Sequence, residues 1–431
     1  MIEMLDIALI REKAEWVKAQ IEKLNDPGAV DHVDAVVELD VRRRELLTEA
    51  ETLRAKRNTV SKQIGKMKDK AERDAKIAEM RAVGDRIDAL EAELGEVEEK
   101  LNEHMLWVPN LPDESVPVGE SDEENILGEP HGALPEFDFE PQPHWDLGPA
   151  LDIIDFERGV KLSGSRFYVL YGMGSRLQRA LINFFLDMHV NEHGYAEVWT
   201  PYMVREEMMV GAAQFPKFRQ NVYRDAEEDF CFLPTAEVSM TNLHRDEILD
   251  ADQLPIKYVA YSACFRREKM SAGRDVRGIK RLHQFFKVEM YRFTEPEQSY
   301  QALEEMVENA TAVCDRLGLP WRLVEMVTGD LGFAAAKKYD IEVWAAGCQE
   351  WLEVSSLSNC EAFQARRANV RFRPEPGAPT QFVHTLNGSG LALPRIMIAL
   401  LENNQREDGS VVLPNVLAPY IGGQTVITPH G

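Results

Sequence analysis

The 431-residue chain contains no apolar run approaching the ~18 residues that a membrane-spanning helix requires. Its opening stretch, Met1 to Lys23, mixes charges throughout, so no signal-peptide core is expected there. Cysteine is scarce: Cys231, Cys264, Cys314, Cys348 and Cys360 are odd in number, and none stands in Cys-x-x-Cys spacing. That argues against a disulfide framework and against a standard zinc site, and it makes a reducing cytoplasm the expected compartment. The Gly-x-x-x-x-Gly-Lys-Ser/Thr loop is absent, as is the Gly-x-Gly-x-x-Gly fingerprint. A nucleotide would therefore not sit as it does in P-loop or Rossmann proteins. No convincing Ser-His-Asp or Cys-His pattern supplies a side-chain nucleophile, and His283 and His384 read as structural.

Basic charge is also in short supply. The formal net charge is −24, which disfavours general nucleic-acid binding. The average conceals its distribution. Between Leu53 and Lys68 there are six basic residues and no acid, and between Pro112 and Glu140 there are ten acids and no Lys or Arg. A polyanion could be met by the first stretch and repelled elsewhere.

What the chain does have is heptad order near its start. Leu39, Leu46, Leu53, Val60 and Met67 recur every seven residues; Ala50 and Ile64 fall on a second seam, which Arg43 and Arg57 interrupt. On the return, Met80, Ile87, Leu94 and Leu101 form one ladder, and Val83, Leu90 and Val97 another. This spacing predicts a coiled coil, and the polar break at Gly65 to Lys70 predicts an antiparallel hairpin turning there. Two separate helices pairing with other chains is the alternative. Residues 1–30 read as a small helical cap, residues 1–107 as one N-terminal arm, and residues 108–150 as an acidic, proline-rich linker or surface strand.

Residues 151–431 mix helix and strand signals. Gly174 to His193 has an amphipathic helical pattern, and Gly194 to Pro201 reads as a strand stopped by its proline. Ile256 to Arg266 and Phe285 to Phe293 read as strands, Pro296 to Gly318 as a helix with a glycine C-cap, and Lys338 to Trp344, Glu350 to Ser355 and Val370 to Arg373 as short alternating runs. Asn387 to Arg395 reads as a glycine-rich opening to an apolar helix with an arginine in its first turns. Hairpin-linked strands flanked by helices predict an α+β fold on an antiparallel sheet. Arg266 and Arg395, one ending a strand and one on a helix, suit two phosphates of a nucleotidyl-transfer site, where catalysis is positioning and charge stabilisation.

These segments resemble class II aminoacyl-tRNA synthetases. The helix and strand ending at Pro201 look like the first motif, which usually forms a dimer interface; Phe265 to Glu289 looks like the second and Gly388 to Arg395 like the third. The finer match is to the zinc-free, bacterial-type branch of seryl-tRNA synthetases, and it covers essentially the whole chain. It rests on Thr235-Ala236-Glu237, Ser271 to Gly278, Lys287-Val288-Glu289, Thr328 to Phe333, Lys337 to Asp340, Glu353-Val354-Ser355-Ser356 with Ser358-Asn359, and Leu386 to Gly390. Any one of these is weak; their order together is specific. Departures are Arg267 and Lys269-Met270, where the family often has Phe-Arg-Ser-Glu-Ala-Gly, and Leu393-Pro394, where a smaller pair is common.

The resemblance implies a class II catalytic domain over residues 151–431 and a tRNA-binding hairpin over residues 1–107. It assigns Thr235, Ala236 and Glu237 to serine through its ammonium group, and Glu289 and Ser389 to the serine side chain. It gives ATP to Arg266, Arg267, Glu268, Phe285, Glu353, Val354, Ser355, Ser356 and Arg395: Arg266 bridging the α-phosphate and the serine carboxylate, Glu268 accepting from the adenine amino group, Phe285 stacking on the ring and Arg395 on the γ-phosphate. Glu353 and Ser356 would hold the magnesium of ATP, and no zinc is expected. Arg54, Lys56, Arg57 and Lys62 are the tRNA-contacting candidates. The family further implies tRNA(Ser) as acceptor, a homodimer, and charging of tRNA(Sec), which the residues themselves do not decide. Two other readings stay open on sequence: activation with transfer to a carrier protein, and a non-catalytic coiled-coil interaction protein.

Overall fold

The computed structural model describes residues 5–269 and 277–429. The chain forms two compact units, residues 1–109 and 110–431. The family-like segment Ser271 to Val276, together with Met270, lies outside the described residues.

The first unit is helical. Asp6 caps α1 (Ile7–Glu22) by accepting from the Ala8 amide at 2.8 Å. Two helices of 38 residues each follow, α2 (Pro27–Ile64) and α3 (Lys70–Trp107), joined by a turn where the heptads break. Each spans about 57 Å at 1.5 Å per residue, longer than the roughly 45 Å the seams alone suggest. Asp69 caps α3 by accepting from Glu72. Leu46, Ala50, Leu90 and Val97 pack together with Leu39, Leu53 and Leu94 at their edge, and Met80, Val83 and Ile87 pack against Leu53, Val60 and Ile64. The two arginines on the second seam have different fates. Arg43 pairs with buried Asp40 at 2.9 Å, and the same carboxylate takes Arg11 of α1 at 2.7 Å. Arg57 is exposed, and the seam near it is only half covered.

The second unit is built on an eight-stranded sheet. Its strands are β1 (Ile126–Leu127), β2 (Ala196–Glu197), β3 (Ile256–Phe265), β4 (Gln284–Thr294), β5 (Trp321–Glu325), β6 (Lys337–Ala345), β7 (Glu350–Asn359) and β8 (His384–Ala392). The order is β1-β5-β6-β7-β8-β4-β3-β2, antiparallel throughout except for β2 beside β3. This is the antiparallel α+β arrangement expected. The acidic stretch after residue 108 belongs to this unit. It supplies β1 to the sheet edge, and Asn110 donates to the Ala334 and Cys360 carbonyls.

Helices α5 (Gly172–Asn191), α6 (Ser299–Leu317) and α7 (Leu393–Asn403), with the shorter α4 (His144–Ala150), share one large apolar cluster with the sheet. Alternation along β4 sorts its side chains: Val288 and Met290 enter that cluster, while Tyr291 and Phe293 enter a second one on the other face. Gly318 closes α6 in the left-handed region at φ +67°.

Two segments differ from the sequence reading. The glycine-rich run at Asn387 to Ala392 is the end of a buried strand rather than a loop into a helix; helix begins only at Leu393. The glycines serve packing: a Cβ on Gly388 would lie 2.8 Å from the Leu357 side chain, and one on Gly390 2.5 Å from His189 Nε2. The strand before Pro201 is only two residues long, ending once its parallel ladder to β3 stops, with Trp199 largely exposed.

Burial grades along the hairpin give a test. Leu90→Ala should destabilise the hairpin by about 2–4 kcal/mol, and Val60→Ala, half-covered, by well under half of that. Native-state hydrogen exchange of α2 and α3 amides reads both; equal effects would contradict the packing described.

Candidate active site

Side chains from β4, β6, β7, β8 and α7, with Arg266 just past the end of β3, line a cavity of about 490 Å³ in the second unit. Register explains much of it. Ser389 of β8 stands opposite Glu289 of β4, and Lys287 lies two residues back on the same face of β4. On the other flank, Asp340 of β6 is opposite Ser356 of β7.

One polar group centres on Glu289. Lys287 Nζ forms an ion pair with Glu289 and donates to Thr235 Oγ1 at 3.0 Å, and that hydroxyl donates to Glu289 Oε2 at 3.1 Å. Glu237, at the start of a five-residue helix, accepts from Gln364 at 2.6 Å and from Asn387 at 3.3 Å. The Gln364 amide is oriented by Tyr291 and Thr385, whose hydroxyls donate to its oxygen at 3.0 and 2.9 Å. Burial, reinforced by the Glu289 charge, pushes the Glu237 carboxyl up to about 7. Ser355 donates to the Ser389 carbonyl at 2.6 Å and so fixes the backbone beside Glu289.

The second group is arginine-rich. Arg395 donates to the Glu353 carbonyl at 2.6 Å and to the Lys280 carbonyl at 3.3 Å, and its guanidinium lies 3.4 Å from Glu353 Oε2. Desolvation works against the Glu353 charge, but Arg395, Lys338 and Arg266 outweigh it and hold the carboxyl below its ordinary value. Asp340 is pushed the other way, to about 7, by burial and by the neighbouring Glu353. Among the described residues its buried Oδ1 has no hydrogen-bond partner.

Arg266 joins the two groups, since its charge favours ionisation of both Glu237 and Glu353. It follows the β3 ladder directly: its amide donates to the His283 carbonyl at 2.9 Å, and His283 Nδ1 meets the Arg266 carbonyl at 3.0 Å. The guanidinium lies over the Phe285 ring at 5.0 Å and donates to the Pro234 carbonyl at 3.2 Å. Glu268 sits nearby in the left-handed region at φ +50°, uncommon for a residue with a side chain.

Of the sequence candidates, Thr235, Glu237, Arg266, Glu268, Phe285, Glu289, Glu353, Val354, Ser356, Ser389 and Arg395 line this cavity. Ala236 is buried beside it, Ser355 acts through its bond to Ser389, and Arg267 is exposed with its amide on the Asn221 carbonyl. His384 meets Ser299 at 2.9 Å, a structural contact. Lys287, Asn387, Gln364, Asp340 and Lys280 were given no role from sequence. For Lys287 the signal was present: two-residue alternation puts it on the face of Glu289.

The candidates on the hairpin belong to the first unit. Arg54 pairs with Glu91 at 2.6 Å and Lys56 with Glu79 at 2.9 Å, whereas Arg57 and Lys62 are exposed and form no ion pair among the described residues.

Comparisons with known proteins agree with one another. Residues 4–112 match the family model described as the seryl-tRNA synthetase N-terminal domain, and residues 218–404 match that of the tRNA synthetase class II core domain (G, H, P, S and T). The serine–tRNA ligase of Roseiflexus sp. strain RS-1 is 63% identical over 425 residues, covering 98% of this chain and 99% of that one. The crystal structure of seryl-tRNA synthetase from Pyrococcus horikoshii complexed with ATP superposes with a TM-score of 0.94 at 39% identity, covering 99% of this chain and all of that one. A cytoplasmic serine–tRNA ligase from Naegleria fowleri in complex with AMP gives 0.87 at 30% identity, with full coverage of both chains.

The raised Glu237 carboxyl has a consequence for stability. Between its ordinary 4.5 and about 7 the folded protein holds a proton that the unfolded chain has released, so stability falls as pH rises through that window. Glu237→Gln should remove the share of that fall that Glu237 contributes. The loss of stability between pH 5 and pH 7.5, read by urea denaturation at the two pH values, should be smaller in the variant by about 2 kcal/mol, with the fall due to Asp340 remaining.

Proposed function

The chain belongs to the seryl-tRNA synthetase family of class II, and from that membership we infer that it activates serine with ATP and esterifies it to tRNA(Ser). One observation carries the site-level reading: a single cavity holds a carboxylate group suited to an amine and an arginine group suited to phosphates, with Arg266 between them.

In this reading the serine ammonium binds among Thr235, Glu237 and Glu289, where two carboxylates offset Lys287 and the incoming cation. Glu289 and Ser389, adjacent across the β4–β8 register, meet the serine hydroxyl. No zinc is needed, because these groups already satisfy the amine. Glu268 and Phe285 take the adenine, Arg266 the α-phosphate and serine carboxylate, and Arg395 the γ-phosphate. ATP enters with magnesium. Glu353 and Ser356 suit that hard cation, and Asp340, opposite Ser356 across the β6–β7 register, places a further carboxylate on that flank. The serine carboxylate attacks the α-phosphorus and pyrophosphate leaves. The terminal adenosine hydroxyl of the tRNA then attacks the mixed anhydride, releasing AMP. The residues bind, orient and stabilise charge; none becomes covalently attached.

The division into residues 1–107, 108–150 and 151–431 then has functional meaning: a tRNA-binding arm, an acidic connector and a catalytic domain. Homodimer formation, charging of tRNA(Sec) and a cytoplasmic setting complete the proposal. The described cysteines are all free thiols, as a reducing compartment allows. No described helix is long and apolar enough to cross a membrane.

Amino-acid-dependent pyrophosphate exchange tests the activation half. Serine should support exchange and alanine should be rejected by roughly 10⁴-fold, since alanine lacks the hydroxyl that Glu289 and Ser389 would meet. Arg266→Ala should lose about 3–4 kcal/mol of transition-state stabilisation while remaining folded. Alanine used as well as serine, or a folded Arg266→Ala protein with normal exchange, would refute these roles.

The arm is tested by charge removal. Arg57→Ala with Lys62→Ala should weaken tRNA charging and flatten its salt dependence while leaving exchange unchanged. Arg54→Ala and Lys56→Ala should have smaller effects, because those cations already face Glu91 and Glu79. Charging insensitive to all four would remove the arm from tRNA recognition.

A further inference from the structure

Outside the cavity lining, three chemically active side chains meet. His144 Nδ1 lies 2.7 Å from Glu402 Oε1, Cys348 Sγ lies 3.1 Å from the same oxygen, and the His144–Glu402 pair is fully buried. Among the described residues this is the one His/Cys/acid group compact enough to hold a metal ion. Its hydrogen bonds argue for another use. The Ile279 amide donates to His144 Nε2 at 3.0 Å, so that nitrogen is an acceptor and the proton resides on Nδ1, donated to Glu402. A metal on Nδ1 would put the proton on Nε2, facing the Ile279 N–H. The Glu402 carboxylate is otherwise filled by the His144 amide at 2.8 Å and the Cys348 amide at 2.8 Å. Burial opposes its charge, but the His144 bonds outweigh that and keep the carboxyl below its ordinary value.

Ile279 matters because of its neighbours. It lies where the chain returns toward β4 after Arg266, and the Lys280 carbonyl accepts from Arg395 Nε. Trp145 supports the same segment, with Arg277 over its ring at 5.2 Å and Lys280 Nζ at 5.7 Å. Gly278 admits the approach: a Cβ there would lie 1.9 Å from His144 Nε2. Glu402 and Arg395 are both on α7, seven positions apart (402 − 395), which is two turns and the same side of the helix. One helix side therefore grips the returning segment twice, through Arg395 and through Glu402 by way of His144.

We propose that the His144–Glu402 pair is a positioning device for ATP: it fixes the Ile279–Lys280 backbone and thereby aims the Arg395 guanidinium into the cavity. The role is indirect, since neither residue lines the cavity. The proposal rests on the assignment of Arg395 to the triphosphate.

Three substitutions of one residue separate this from a general structural role. His144→Gln keeps an acceptor within reach of the Ile279 amide. His144→Asn keeps only a donor toward Glu402, and His144→Ala keeps neither. Serine-dependent pyrophosphate exchange with the full chain should show the KM for ATP raised about tenfold or more in the Asn and Ala variants and within threefold of normal in Gln. The KM for serine should stay within twofold in all three. Gly278→Ala, whose Cβ would collide with His144 Nε2 and so break the Ile279 contact from the segment's side while keeping the His144 and Glu402 side chains, should reproduce the ATP-selective change and decides the matter if the His144 variants do not fold. Both KM values moving together, no change in either, or no distinction between Gln and Asn would overturn the proposal. So would one equivalent of zinc retained by the purified protein and lost in Cys348→Ala. An unsubstituted protein without serine-dependent exchange would instead sink the assignment of activity on which this one stands.

Discussion

The pairing of β4 between β3 and β8 is the constraint on which the site depends. Ten residue pairs tie β3 to β4, from Ile256–Phe293 to Phe265–Gln284, leaving Arg266 as the first residue beyond the ladder. On the other edge, β8 sets Ser389 beside Glu289. A slip of one residue in either ladder would turn Lys287 and Glu289 toward the helices and Val288 and Met290 into the cavity. The apolar cluster beneath the sheet prevents that, because Val288 and Met290 are fully buried in it. Packing on one face thus fixes the chemistry on the other.

Charge balance is the second determinant. Lys287 sits against Glu289 and Thr235, while Glu237, whose amide donates to the same Thr235 hydroxyl at 3.4 Å and whose carboxylate accepts from Asn387 and Gln364, is held partly protonated near neutral pH. A cation entering this group favours the ionised form of Glu237. Entry of a cation is therefore coupled to release of a proton from this group over the pH range in which Glu237 is still protonated. Around Glu353 the balance is reversed: Arg395, Lys338 and Arg266 keep Glu353 ionised, and Asp340 beside it carries the raised pKa of the pair. Two neighbouring carboxylates with opposite shifts form a site that gains from a cation of higher charge.

Much of this was legible in the chain, for unequal reasons. The hairpin was readable because heptads repeat a local rule many times, and its turn fell at the one polar break. The β3 and β4 strands were readable from apolar runs. The β8 strand was not, because Gly388 and Gly390 carry no side chain to alternate; their reason is the closeness of Leu357 and His189, a tertiary fact. The strand before Pro201 was over-extended, since propensity does not reveal where a neighbouring ladder ends. Among site residues, the motifs pointed to most of those that line the cavity. Gln364, on a short helix, was missed because it acts through another side chain; Asp340 stood in a run that carried the resemblance but had no role of its own; His144 with Glu402 was missed because their relation spans 258 positions.

The arm shows why composition alone misjudges a binding surface. Between Leu53 and Lys68 the sequence offers a run of cations without acid, yet the return helix supplies acids opposite them: Glu91 takes Arg54, and Glu79 takes both Lys56 and Lys76. The Glu79 carboxyl is lowered to about 2 by those two lysines, so it remains charged throughout the physiological range. A polyanion approaching that helix meets two cations already partnered and has to compete for them, whereas Arg57 and Lys62 are exposed and form no such pair among the described residues. Counterion release scales with the cations that actually exchange partners. The antiparallel fold therefore narrows the six cations of Leu53 to Lys68 to a smaller set that is not already held by acids of the return helix.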